Sequence, residues 1–269
     1  MSTIKPFNLS SALLLQYLER LSYFNVLIQM PIYISQKGIE DALGLGQEVK
    51  GWIFFTWALV QNVTPIFVGV IADRISQEKA IFFSIVLICL GYLSLFLCQS
   101  ISILLFSVIL IGIGSGGFKP SLQGVLSQFD KRNVWSIYLI INNLAFMLAL
   151  VFSNYIKQFG WSFVFLGSFI ISMMNLLISV TLLKKTNKEI TSLRINNESI
   201  TINFTEITKI FTQTKMLFIL FFTTCFAIIY MQFYETLPNY IVDWIDTTDV
   251  AKFLGLSQEF TISTSEGQL

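Results

Sequence analysis

The sequence predicts an all-α integral membrane protein: a six-helix bundle followed by one helix of a second, incomplete bundle. Three observations carry that prediction. Hydrophobic residues make up 54% of the chain, with 26 Phe and a mean hydropathy of +0.70. Charged residues make up only 12%, about half of what a soluble domain carries. Apolar runs of the roughly 20 residues needed to cross a bilayer recur along the chain. They are interrupted once, over residues 184–215, by a stretch of Lys, Asn, Thr and Glu that reads as a cytoplasmic linker between two membrane units.

The first span covers about 11–34. It contains Glu19 and Arg20, and residues 1–10 carry the single basic residue Lys5, so the signal-peptide pattern is missing and the helix is expected to stay in the mature protein. Residues 36–50 hold Gly38, Gly44 and Gly46 and read as an exposed loop. Five further spans are expected at 51–72, 80–99, 101–126, 134–156 and 161–183, completing a bundle over 1–183. A seventh is expected from 216 to 242, followed by a tail with Asp243, Asp246 and Asp249, the whole forming a third segment, 216–269. Lys and Arg concentrate after spans two, four and six (Arg74, Lys79, Lys131, Arg132, Lys184, Lys185), which puts the amino terminus in the cytoplasm of a multi-pass cell-membrane protein.

Composition narrows the chemistry. A net charge of +1 argues against a nucleic-acid partner. With no His in the chain, His-based acid/base chemistry and His-ligated metal are out, and any proton chemistry falls to carboxylates. Cys89, Cys98 and Cys225 are scattered through apolar runs as inert thiols. No HExxH, no activated Ser or Cys arrangement and no facing Asp pair is present, so an enzyme is not expected, nor any cofactor or metal site.

The charges inside the spans are the candidates for function. An ionisable group at the bilayer centre costs roughly 2.5–3.5 kcal/mol on insertion scales, so a chain that keeps one is using it or pairing it. Gln16, Glu19, Arg20 and Tyr23 are spaced i, i+3, i+4 and i+7 and share one face of the first helix. Lys119 lies in the fourth span, in Gly116-Gly117-Phe118-Lys119-Pro120. At about 1.5 Å per residue it sits at a depth comparable to Glu19; opposite charges at one depth on two helices suggest a pair, and Glu19, Arg20 and Lys119 are expected to form one cluster, either titrating or merely stapling the two helices. Gly112, Gly114 and Gly117 spell GxGxxG. Inside a long apolar span this reads as close helix packing rather than a pyrophosphate cradle. Tyr138 and Asn142 share a face of the fifth span, and Glu235 lies towards the outer end of the seventh. Each fits a solute-facing position and also a structural one. Gly69, Asp73 and Arg74 at the end of span two fit either a latch between helices or a solvated turn.

Together these motifs resemble the proton-dependent oligopeptide transporters of the major facilitator superfamily. The first-helix ExxER signature is matched by Glu19 and Arg20 with Gln16 in place of its first acid. The Gly-rich Lys-Pro stretch of the fourth helix is matched by residues 116–120, and FYxxINxG of the fifth at Tyr138, Ile141 and Asn142. The superfamily loop GxxxDR is met by Gly69, Asp73 and Arg74, and the Gly and basic residues expected next are replaced by Ser76, Gln77 and Glu78. The resemblance implies twelve helices in two bundles with the substrate between them. This chain would then supply one bundle, the linker and one helix, and a second six-helix bundle would complete the site. It implies secondary active transport by alternating access, a symport of protons with short peptides or similar small polar solutes. Glu19, Arg20 and Lys119 would couple the proton. Gln16, Tyr23, Tyr138, Asn142 and Glu235 would contact substrate, and Gly69, Asp73 and Arg74 would gate. Two other readings remain: a carrier of another solute (sugar, nucleoside or drug) without proton coupling, and a non-transporting membrane scaffold.

Overall fold

The computed structural model describes residues 8–36, 42–97, 100–129, 133–190, 214–245 and 248–253. The chain divides into two units, Met1–Arg194 and Ile195–Leu269. Among the described residues the first unit holds α1 (Leu9–Ser35), α2 (Gln47–Ile75), α3 (Gln77–Phe96), α4 (Ile101–Ser127), α5 (Val134–Lys157) and α6 (Trp161–Ile190). The second holds α7 (Thr214–Glu235), α8 (Leu237–Trp244) and α9 (Thr248–Phe253). The all-helical fold class is as the sequence predicts.

The boundaries shift for local reasons. Helix α2 begins at Gln47, inside the stretch expected to be a loop, because Gly46 at φ 84° turns the chain and Glu48 favours a helix N-terminus. It also runs through Gly69, Asp73 and Arg74, so that motif lies in the last two turns of a helix and not in a loop. A single residue, Ser76, separates α2 from α3, and its hydroxyl accepts the Lys79 N–H as a helix cap. Helix α6 continues past residue 183 to Ile190. The expected single span from 216 to 242 is broken at Thr236: Pro238 sits in the first turn of α8, where its missing N–H is tolerated, and it could not have continued α7.

Five stretches among the described residues are long and apolar enough to cross a membrane: Gln47–Gly69, Gln77–Phe96, Ile101–Ser127, Val134–Lys157 and Trp161–Thr181. Helix α1, at 27 residues, is long enough as well and is set apart by its buried Gln16, Glu19, Arg20, Asn25 and Gln29. It is the central helix of the first unit, buried on every side from Ser22 to Ser35.

Pairing in this unit is orderly. Helices α2 and α3 pack on α4, α5 and α6 pack on α1, and α3 meets α6. The pattern is unchanged when α1–α3 are exchanged with α4–α6, as in an internal three-helix repeat. The glycines of α4 make this possible. A Cβ at Gly114 would stand 2.8 Å from the Ser84 carbonyl of α3, and one at Gly116 would stand 2.7 Å from the Gln61 carbonyl of α2. Both neighbours are backbone, so the helices approach as closely as small residues allow, which is the packing role expected of the Gly-rich stretch.

Candidate functional site

The site is built around α1. Gln16, Glu19, Arg20 and Tyr23 are all buried, none more than 5% exposed. Neighbouring residues on a helix point about 100° apart, yet the long Arg20 side chain curls back to chelate its neighbour. Its Nε lies 2.5 Å from Glu19 Oε2 and its Nη2 2.6 Å from Oε1, a two-pronged charge-assisted pair. The guanidinium also lies 4.6 Å from the centre of the Tyr23 ring, on the next turn, adding a cation–π contact. The Tyr23 hydroxyl donates to Gln61 Oε1 of α2 at 3.0 Å, and the Tyr23 ring meets Trp57 edge-on at 5.5 Å. Through Tyr23, the ion pair is tied to α2.

Lys119 is partly exposed on α4, and its charge interacts with both Arg20 and Glu19. Of the three charges expected to cluster, Glu19 and Arg20 are in direct contact, while Lys119 acts on them only through its charge. The pairing differs from the cross-helix one that matched depth pointed to: among the described residues the carboxylate of Glu19 is bridged by Arg20, and Lys119 forms no ion pair. Arg20 is closer along the chain and can engage both oxygens, whereas α4 touches α1 at few points. One carboxylate and two cations leave a surplus positive charge.

From α5, Tyr138 faces the same cluster. It lies within electrostatic reach of the Arg20 and Glu19 charges, with Gln16 of α1 and Gln123 of α4 beside it. Asn142, one turn on, is partly exposed. Gln16 Oε1 is buried without a hydrogen-bond partner among the described residues, as is Ser115 Oγ. The arrangement therefore offers surplus positive charge with an unused acceptor nearby, which suits a small zwitterionic or carboxylate-bearing solute.

Gly69 is inside α2 with open space where a side chain would be, and the Asp73 and Arg74 side chains lie outside the described residues. Glu235 is the last residue of α7, in the other unit. Sequence reading missed Gln61, Trp57 and Gln123. The signal was available in part: Gln61 and Gln123 are amides inside apolar spans, a pattern that already marked Asn142.

Residues 12–258 match the family model of the Major Facilitator Superfamily. Peptide transporter YePEPT of Yersinia enterocolitica subsp. palearctica serotype O:3 (strain YE-P4) is 24% identical over 166 residues, 58% of this chain and 32% of that protein. The chain thus spans about a third of the curated relative it matches. Among solved structures, a mutant of the peptide transporter POT superimposes on 91% of this chain and 51% of its own, with a TM-score of 0.61 and 19% identity. A POT family transporter in complex with 5-aminolevulinic acid superimposes on 92% of this chain and 50% of its own, with a TM-score of 0.56 and 18% identity. At these identities the structural likeness establishes the fold.

Proposed function

Because the chain belongs to the major facilitator superfamily, we propose that it acts in secondary transport by alternating access, coupling inward proton movement to uptake of short peptides or similar small polar solutes across the cell membrane. In this reading α1–α6 carry one half of the site, and a second six-helix bundle, joined through the cytoplasmic 184–215 linker, carries the other. One observation carries the proposal: a buried Glu19–Arg20 pair, with Lys119 acting on both charges and Tyr138 beside them. While Glu19 is ionised it occupies Arg20. A proton on Glu19 abolishes its charge and frees the guanidinium, which then offers its two-pronged face to a substrate carboxylate alongside Lys119. Gln16 Oε1, Tyr23, Tyr138 and Asn142 are placed in this proposal as the polar contacts that orient the solute, with Glu235 from the second bundle. Gly69, Asp73 and Arg74 are proposed to gate the cytoplasmic end.

The relatives named peptide transporters support the substrate class. The test is uptake of a labelled dipeptide into proteoliposomes under an imposed inward proton gradient, with the chain reconstituted alongside the second bundle. Gradient-driven uptake that collapses in Glu19→Gln is the expected result. Uptake that ignores the gradient and survives Glu19→Gln sinks proton coupling.

A second reading is favoured by Gln16, a neutral residue where the transporter signature carries an acid. With Glu19 already bridged by Arg20, the cluster would then only gate the movement of another solute, such as a sugar, nucleoside or drug. Competition of labelled-dipeptide binding by unlabelled peptides against these other solutes separates the two readings.

A further inference from the structure

We infer that Ser168 and Asn175, on α6, are positioning residues for the Glu19–Arg20 pair, holding the backbone of α1 at a fixed height and rotation on either side of it. Asn175 Nδ2 donates to the Leu15 carbonyl at 3.2 Å, and Ser168 Oγ donates to the Ser22 carbonyl at 3.1 Å. The two grips are seven residues apart on both helices, which is two turns, so they hold one face of α1 against one face of α6. Glu19 and Arg20 lie in the turns between them.

The contacts reach the pair through the backbone. In the α-helical pattern the Leu15 carbonyl is the acceptor of the Glu19 N–H, so Asn175 holds the group to which Glu19 is itself bonded. On the other side the Ser22 hydroxyl donates to the Glu19 carbonyl at 2.9 Å, while Ser168 holds the Ser22 carbonyl. Asn25 completes the clamp, donating to Ser168 Oγ at 2.7 Å and to the Val164 carbonyl at 3.0 Å. Ser22, Asn25 and Ser168 are fully buried, and Asn175 is 1% exposed. A slide of one residue along α1 is about 1.5 Å, enough to break both carbonyl grips. Ser179, one turn beyond Asn175 on α6 and also buried, makes no such grip: its hydroxyl turns back to the Leu176 carbonyl of its own helix. The clamp is therefore a property of particular residues rather than of a serine-lined helix. Its bearing on coupling rests on the function proposed above, and its existence does not.

The test reads the carboxylate directly. In detergent-solubilised protein, the infrared difference spectrum against Glu19→Gln isolates the Glu19 carboxylate stretch. Single interhelical hydrogen bonds within membranes are weak, so the variant carrying Ser168→Ala and Asn175→Leu is expected to keep its helical circular dichroism. Its Glu19 band is expected to move away from the bridged position. Ser168→Ala alone moves it part of the way, Ser168→Thr restores it, and Ser179→Ala leaves it in place. An unmoved band in the folded double variant overturns the inference, and so does an equal shift in Ser179→Ala. If the double variant does not fold, the comparison of Ser168→Ala with Ser168→Thr decides. Uptake is not measured, so a failure here is distinct from a failure of the transport reading.

Discussion

At the scale of single residues, the centre of the molecule is a carboxylate whose counter-ion is its own neighbour. Both side chains are almost fully buried, 1% and 5% exposed for Glu19 and Arg20, so removing either leaves the other without its bridging partner. Breaking a buried pair from one side costs about 3–5 kcal/mol, whereas replacing both members by neutral groups is often far milder. Arg20→Gln is therefore expected to lower thermal stability in detergent markedly, and Glu19→Gln combined with Arg20→Gln to recover much of the loss. Equal losses in the two variants would show that the bridge contributes nothing. Glu19, Arg20, Tyr23 and Lys119 were legible in the sequence because charges and helical spacing stand out against an apolar run. Trp57 was not, and Gln61 only as an amide inside an apolar run, because their role depends on α2 lying against α1 at that level. The partner of Glu19 was not legible for a related reason: depth along a helix can be counted from the sequence, but the reach of an arginine back to its neighbour cannot.

At the scale of elements, the helices were legible as apolar runs and their ends were not, since exposed polar residues such as Gln47 and Glu48 continue a helix beyond the apolar run. The glycines give a sharper test. Gly116→Ala places a methyl group 2.7 Å from the backbone of α2, and forcing a helix pair apart costs about 1–3 kcal/mol. Gly69→Ala meets nothing within 4 Å and trades a flexible residue for a better helix former, a gain of up to about 1 kcal/mol. Thermal melts in one detergent should therefore move in opposite directions. A loss of uptake in Gly69→Ala without a loss of stability would then support its proposed part in gating. Ser76 offers the converse case. Its φ of 142° is a conformation natural to glycine, and such strain is on the order of 1–3 kcal/mol. The cap it supplies is a long bond of 3.4 Å, and glycine replaces serine at a helix cap with a loss of only a few tenths of a kcal/mol. Ser76→Gly is expected to raise the melting temperature, and an unchanged or lower one would show the strain to be absent.

At the scale of the whole chain, the six-helix unit is polar at its centre and apolar outside. Ser22, Asn25, Ser168 and Asn175 are buried while Phe67, Phe83 and Ile170 are more than half exposed. Composition announced a membrane protein, but which helix packs on which was not legible, because spans that are apolar on every side carry no stripe that names the partner. The pairing of α1 with α6 and of α4 with α3 is decided by small and polar residues, which are sparse in the sequence and interpretable only in three dimensions. Adjacent residues on α6 show the consequence. Ile171 is 8% exposed and packs in the core, while Ile170 is 52% exposed near the middle of the Trp161–Thr181 span. Ile171→Ala leaves a cavity and is expected to cost about 2–5 kcal/mol, while Ile170→Ala leaves none and should be close to neutral. Ile170→Arg reverses the comparison: the bundle core is untouched, but a charge at that depth costs roughly 2.5–3.5 kcal/mol on insertion scales. Thermal stability in detergent should separate Ile171→Ala from the wild type, and the yield of membrane-inserted protein should separate Ile170→Arg from Ile170→Ala. If Ile170→Arg inserts as well as Ile170→Ala, the outer face of α6 does not meet lipid and must be covered by protein instead.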